Sequence, residues 1–362
     1  MTQIDQVAEH DDAPAAPLTV VVGNAISPAE AAYLSSRDDR LHVITDFELL
    51  PPQRYPGDFA GDPAFRRSPT QQSEFEALLS RADILFGIPD LDPRTLRRTL
   101  DANPELRWVH TMAAGGGNAI RAADLTSAQL ARTIFTTSAG VHARPLAEFA
   151  LLGLLAGAKS LPRLLAQQRQ HLWSERWHTG QLSSMTVLLV GFGGIGREIA
   201  TELRSRGTRV IATSRRPISS DDVDEFVAPS EIAVVAPRVD AAVVSLPGTD
   251  NTEGLLGRQF FDAIRPGATL VNVGRGSVVD HGAMTAALRS GRLGFAALDV
   301  TAVEPLPATD PLWDLPNVLI SPHTAAISVH EARLITELFA RNATAFLDGT
   351  PLENVVNTVL FY

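Results

Sequence analysis

Arg275, Asp299, Glu304 and His323 set a permanent cation, two carboxylates and an imidazole in three neighbouring segments. The segments are Val271-Asn-Val-Gly-Arg-Gly-Ser-Val-Val-Asp280, Ala297-Leu-Asp-Val-Thr-Ala-Val-Glu-Pro-Leu306 and Ile320-Ser-Pro-His-Thr-Ala-Ala326. Together these residue types suit hydride transfer to a 2-keto acid. Such a reaction needs a cation to hold the carboxylate and polarise the carbonyl, and an acid to protonate the oxygen as the hydride arrives. The fixed, always charged fork of arginine suits the first task. Histidine suits the second, because it changes charge near neutrality. A neighbouring carboxylate would orient its ring and favour its charged form.

The elements that must position these groups are strands. Each segment continues an apolar run, and in a doubly wound sheet the strand C-termini face the ligand crevice. Gly191-Phe-Gly-Gly-Ile-Gly196 lies upstream. Met185–Val190 before it reads as a buried strand and Arg197–Arg204 after it as a helix. Strand, glycine turn and helix are the context in which GxGxxG binds a dinucleotide. The glycines let the backbone approach a pyrophosphate, and the helix N-terminus offers free N–H groups and the positive end of its dipole. A fingerprint midway along the chain implies that something folded precedes it.

Composition limits the alternatives. A length of 362 residues suggests two domains. With 45% hydrophobic and 20% charged residues, the chain has the make-up of a soluble globular protein. A formal charge of −10 argues against nucleic acid and against anionic membranes as partners. Cysteine is absent, which removes disulfides and thiolate chemistry and fits a cytoplasmic protein. Lys159 is the only lysine. Residues 1–17 read as a disordered acidic tail rather than a signal peptide. The apolar run Phe149–Ala158 is too short for a membrane span and reads as a buried helix.

Strands are expected at Leu18–Val22, Leu41–Thr45, Ile84–Phe86, Trp108–Thr111 and Thr133–Thr136. Helices are expected between them at Pro28–Leu34, Ser73–Ala82 and Pro93–Leu100, the last capped by Asp92. Pro51–Pro69 is a long surface excursion or a lid. After the turn-rich junction Ser138–Pro145 and a long helix toward Leu161, a second series is expected. Its six strands are Val187–Val190, Val210–Thr213, Ala241–Ser245, Thr269–Val273, Ala296–Val300 and Val318–Ser321. Helices are expected at Ile195–Arg206, Arg258–Ala263 and Gly282–Ser290. A final helix, Ser328–Phe346, should return to the first domain.

These motifs resemble the D-isomer-specific 2-hydroxyacid dehydrogenase family. The likeness rests on the GxGxxG, the segment from Asn272 to Asp280, Asp299 with Glu304-Pro305, and Ser321-Pro322-His323. Leu246-Pro247 with Asn251-Thr-Glu-Gly254 and Gly140-Val-His-Ala-Arg-Pro-Leu-Ala-Glu148 add to it. It runs from about Trp108 to Val356 and is weak before Trp108. It implies two doubly wound parallel-sheet domains with a cleft between them. The discontinuous, flavodoxin-like substrate domain would take 18–137 plus 325–362, and the inserted Rossmann domain 138–324. Arg275 would bind substrate, Glu304 would be the carboxylate partner and His323 the proton donor or acceptor. Gly191, Gly193, Gly194, Ile195 and Gly196 would bind the cofactor, Gly194 and Ile195 on the pyrophosphate, with Pro247 near the adenine and Asp299 on the nicotinamide carboxamide. Val273, His323 and Ala325 complete the expected cofactor contacts, and Ala114, Gly115 and Gly116 would join Arg275 on the substrate. That loop, Ala113–Asn118, could hold a carboxylate with free N–H groups.

Two positions depart from the family pattern. Gly117 stands where many members have an aspartate, and Gly194 where many have a basic residue. His142 and Glu148 read as structural. No metal site is expected, since His110, His171, His178 and His330 do not cluster with other ligands. Leu146–Leu155 reads as core or subunit interface, and a homodimer through the cofactor domains is implied by the resemblance. At the end of the second Rossmann strand, Ser214 takes the place of the usual acidic residue, followed by Arg215 and Arg216. A hydroxyl and two guanidinium groups favour NADP(H) over NAD(H). The expected activity is NAD(P)-dependent interconversion of small 2-keto and D-2-hydroxy acids of the glyoxylate or hydroxypyruvate kind. A D-3-phosphoglycerate dehydrogenase-like enzyme, or a dinucleotide-sensing corepressor or scaffold of the same fold, is the alternative. A formate dehydrogenase pattern, with glutamine at the carboxylate position, is opposed by Glu304.

Overall fold

The structure is a computed structural model that describes residues 17–359 and 361. The expected acidic tail therefore lies, apart from Pro17, outside the described residues. The chain divides into two compact units. One takes the described residues up to Ala139 together with those from Val329 on, and the other is Gly140–Ser328.

The first unit is built on a five-stranded parallel sheet of β1 (Leu18–Val22), β2 (Leu41–Ile44), β3 (Ile84–Phe86), β4 (Trp108–Thr111) and β5 (Ile134–Thr137). The order β2-β1-β3-β4-β5 is the flavodoxin-like one. The central strands β3 and β4 are short and buried on both faces, as helices on either side of a parallel sheet require. Asp92 caps the helix Pro93–Ala102, its carboxylate accepting from Arg94 N–H. The helix expected at Ser73 begins at Pro69, because Ser68 and Gln71 form a reciprocal capping box and proline fits the first helical position. The helix Glu331–Leu347 belongs to this unit. Its Phe339 stacks on Trp108 with ring centres 4.8 Å apart and meets Phe86 edge-on, also at 4.8 Å.

The 51–69 excursion is tied to the body of this unit. Phe59 is buried, and its carbonyl accepts from Ala25 N–H at 3.2 Å. Arg67 donates to the Leu49 carbonyl at 2.6 Å and pairs with Asp90 at 2.9 Å. Within it, Arg54 holds the carboxyl of buried Asp58 below the usual carboxylate range.

The second unit carries a seven-stranded parallel sheet, not the expected six. Its strands are β6 (Thr186–Val190), β7 (Arg209–Thr213), β8 (Glu225–Val227), β9 (Ala241–Val244), β10 (Ala268–Asn272), β11 (Leu293–Leu298) and β12 (Val318–Ile320). The order β12-β11-β10-β9-β6-β7-β8 is the Rossmann order extended by one edge strand. The extra strand by sequence is β8, Glu-Phe-Val. Three residues with a charge among them carry no readable periodicity, and only pairing with β7 makes them a strand. The helix Ala143–Ala158 lies close on this sheet. Glycine is needed at 153, where an added Cβ would come within 2.7 Å of Val271 and Ala297. Among the described residues no single helix is long and apolar enough to cross a membrane.

Candidate active site

The glycine loop joins β6 to the helix Gly194–Arg204. Gly191 has φ of +111°, a conformation L side chains rarely adopt, and its N–H donates to Thr213 Oγ1 at the end of β7 at 2.9 Å. The Ser245 hydroxyl donates to the Gly191 carbonyl at 3.1 Å. An added Cβ at Gly196 would collide with that carbonyl, so the third glycine permits the close approach of helix to strand. Gly193 and Gly194 differ from these. Nothing lies within 4 Å of a Cβ added at either, and no side chain caps the helix. The free N–H groups of the first turn thus face open space, which fits a pyrophosphate. At the end of β7 the Ser214 hydroxyl donates to the Arg216 carbonyl at 2.7 Å. Arg215 and Arg216 are exposed and have no carboxylate partner among the described residues.

After β10, the buried Asn272 side chain shapes the arginine loop from both ends of its carboxamide. Its Oδ1 accepts from Gly274 N–H at 3.0 Å and its Nδ2 donates to the Arg275 carbonyl at 3.2 Å. The flanking glycines let this loop wedge between its neighbours. A Cβ at Gly274 would meet the Leu246 carbonyl at 2.6 Å, and one at Gly276 would collide with Thr301. Arg275 is exposed and forms no ion pair among the described residues.

Asp299 follows β11 and is 2% exposed. Its Oδ1 accepts from the Ser321 hydroxyl at 2.6 Å and from the Thr324 and Ala325 N–H groups, each at 2.9 Å. Its carbonyl accepts from His323 N–H at 2.9 Å, and its own N–H donates to the Asn272 carbonyl at 3.0 Å. One aspartate therefore fixes the whole loop after β12. That support matters because His323 sits at φ of +55°, a conformation costly for a residue with a Cβ. Asn272 in turn links Asp299 to the Arg275 loop.

The His323 ring meets Glu304 directly, Nδ1 to Oε2 at 2.7 Å, and Glu304 Oε1 accepts from Thr301 N–H at 3.0 Å. An ionised carboxylate only accepts, so Nδ1 carries a proton in either charge state of the ring. This leaves Nε2 as the nitrogen that gains or loses a proton, and the side chain is 46% exposed. The geometry is that of an oriented acid–base group.

Of the remaining expected contacts, Val273 is buried in the sheet core, so only its backbone is available. Ala325 spends its N–H on Asp299, and Pro247 is exposed on the loop after β9. In the first unit the Ala113–Asn118 loop follows β4, and Gly117 begins a short helix to Ala122. Ala114 and Gly115 are exposed, and their N–H groups have no acceptor among the described residues. His142 is buried at the start of the helix Ala143–Ala158, while Glu148 is exposed and only loosely paired with Arg144 at 3.8 Å. Among the described residues no three His, Asp or Glu side chains cluster as metal ligands would. The positioning roles of Asn272, Asp299 and Ser321 are not deducible from residue type. The available signal is a polar residue closing each apolar strand.

A doubly wound unit with an open glycine loop and an imidazole–carboxylate pair at its strand ends has the groups that dinucleotide-dependent acid–base chemistry requires. The comparisons give the family. Residues 151–325 match the model of the D-isomer specific 2-hydroxyacid dehydrogenase, NAD binding domain. A glyoxylate reductase of Aeropyrum pernix is 33% identical over 305 residues, covering 79% of this chain and 87% of its own. A glyoxylate reductase/hydroxypyruvate reductase of Mus musculus is 34% identical over 268 residues, covering 72% of this chain and 80% of its own. The crystal structure of a D-isomer specific 2-hydroxyacid dehydrogenase from Xanthobacter autotrophicus Py2, in complex with NADPH and MES, superposes with a TM-score of 0.73. It is 26% identical, and the match covers 96% of this chain and 100% of that one. The chain belongs to the D-isomer specific 2-hydroxyacid dehydrogenase family, and it is an NAD(P)-dependent oxidoreductase of that family.

Proposed function

We propose that the protein reduces a small 2-keto acid of the glyoxylate or hydroxypyruvate kind to the D-2-hydroxy acid with NADPH, and runs the reverse when product is in excess. The observation that carries this reading is the 2.7 Å contact of His323 Nδ1 with Glu304, which leaves Nε2 free to serve the substrate oxygen. The dinucleotide supplies the hydride, which adds to the keto carbon. His323 Nε2–H gives its proton to the carbonyl oxygen, and Glu304 holds the ring in place through Nδ1 throughout. Arg275 binds the substrate carboxylate and draws electron density toward the oxygen. The free N–H groups of Ala114 and Gly115, with Gly116, are assigned to the substrate as well.

Gly191–Gly196, Pro247, Val273, Asp299 and Ala325 are assigned to the cofactor. NADP(H) is favoured because Ser214, Arg215 and Arg216 present no carboxylate to repel a 2′-phosphate. Residues 18–137 with 325–362 form the substrate domain in this reading, and 138–324 the cofactor domain. A homodimer through the cofactor domains is supported by exposed Leu152 and Leu155 on the helix Ala143–Ala158, Leu164 on the helix Leu161–Arg169, and Leu172 and Trp173 just after it. A cytoplasmic location fits a chain without cysteine.

The test is a panel of glyoxylate, hydroxypyruvate and larger 2-keto acids with NADPH and with NADH, followed at the nicotinamide absorbance. Turnover should favour NADPH, and Arg215→Ala or Arg216→Ala should cut the NADPH-to-NADH ratio of kcat/KM by about tenfold. No turnover on any acid would move the protein to the sensor class. A parent preference for NADH would sink the NADP assignment alone.

A further inference from the structure

Arg197 stands in the first turn of the helix Gly194–Arg204, where a cation opposes the helix dipole. Some other arginines of this unit relieve their charge on acids, as Arg204 does on Asp224, Arg238 on Glu225 and Arg265 on Asp240, whereas Arg215, Arg216 and Arg275, like Arg197, do not among the described residues. Arg197 is exposed and has no carboxylate partner among the described residues. It is nevertheless held, with its guanidinium 4.6 Å from the centre of the Phe192 ring. Phe192 belongs to the glycine loop and is braced edge-on by Phe226 of β8, with ring centres 5.1 Å apart.

The helix explains where the charge goes. Residues 194 and 197 are three apart and share a face. Helical side chains lean toward the N-terminus, so Arg197 leans toward the turn that holds Gly194 and rests on Phe192, leaving the space beside Gly194 open. Gly194 has no side chain, and the space above it is empty of protein. A cation kept at an unfavourable helix end, unpaired and stacked beside uncapped N–H groups, is arranged for an anion.

We propose that Arg197, carried on Phe192, binds the pyrophosphate of the dinucleotide. The inference rests on the reading that the glycine loop holds a dinucleotide. It is separate from the assignment of Ser214, Arg215 and Arg216, because the pyrophosphate is common to NAD and NADP.

Calorimetric titration of the cofactor-free full chain with NADPH and with NADH tests it. Arg197→Ala should weaken both by about tenfold and equally, and should flatten the salt dependence of Kd. Arg197→Lys should fall between, keeping the charge but losing the planar stack. The thermal midpoint of Arg197→Ala should hold or rise, since an unpaired cation leaves the helix N-terminus. Adding Gly194→Arg to that variant should recover affinity, because the space there is open. Unchanged Kd values in Arg197→Ala would overturn the proposal while leaving the loop reading intact. A loss confined to NADPH would also overturn it, by placing Arg197 on the 2′-phosphate. Failure of the parent to bind either dinucleotide would remove the loop reading and the proposal together.

Discussion

Two histidines in this molecule lie at the ends of parallel strands and are built for opposite ends. His323, in the second unit, is half exposed and bonded to a carboxylate. His110, on β4 of the first unit, is 0% exposed and bonded only to hydroxyls. The hydrogen bonds around His110 fix its tautomer. Ser138 donates its proton to the Thr111 carbonyl at 2.9 Å, so it accepts from His110 Nε2–H at 3.1 Å. Thr136 Oγ1 accepts from Trp108 Nε1–H at 2.8 Å and donates to His110 Nδ1 at 2.8 Å. Both ring nitrogens of His110 are spent, and desolvation pushes its pKa down to about 3. His323 has one nitrogen held by an anion and the other unspent. The same side chain is thus locked as a structural strut or left with one nitrogen open, according to partner and burial.

The largest expected effect tests the catalytic half of this contrast. His323→Ala should cut turnover by about two to four orders of magnitude, the scale of a lost general acid. Cofactor Kd, measured by titration, should change little. A variant retaining most of its turnover would erase the distinction between the two histidines.

Removing the partner is a smaller perturbation. Glu304→Gln keeps an acceptor near Nδ1 but replaces the carboxylate that orients the ring. Turnover should fall by about ten- to a hundredfold, roughly the weight of an orienting partner. KM and cofactor affinity should move less than kcat. Loss in KM alone would recast Glu304 as a substrate-binding group rather than the partner of His323.

The two sites also differ in how legible they are in sequence. Gly191–Gly196, Arg275, Glu304 and His323 are recognisable because each stands in a short motif whose spacing reflects local backbone geometry. The contact between Glu304 and His323 follows the same logic, since both lie in loops beyond adjacent strands β11 and β12. Asp299 is readable as a residue but not as the group that fixes the His323 loop, because its acceptors' partners come from a segment after β12. The His110 network is not readable at all. Its hydroxyls come from β5 and the residue after it, and its ring neighbours include Phe339 of the last helix, far along the chain. Only the sheet order brings these together, so the sequence offers an isolated histidine with no visible role. The same limit hides β8, whose pairing with β7 is its whole reason for being a strand.

The last prediction sharpens the structural half. His110 is neutral in the folded chain, and the unfolded chain binds a proton there near the ordinary value of 6.5. A group whose folded pKa is depressed contributes its stability above the unfolded pKa. That contribution is lost as pH falls from 6.5 toward about 3, because only the unfolded state takes up the proton. Denaturant unfolding from about pH 7 to about pH 4 should therefore show the parent losing roughly 3 kcal/mol that His110→Gln does not lose. At neutral pH the variant should be the less stable of the two, since glutamine cannot fill the stack between Phe86 and Phe339. The two stability curves should then converge as the solution is acidified. Parallel curves would show that His110 takes up its proton as readily in the folded chain as in the unfolded one. Its burial would then not set its charge, and the contrast with His323 would rest on partners alone.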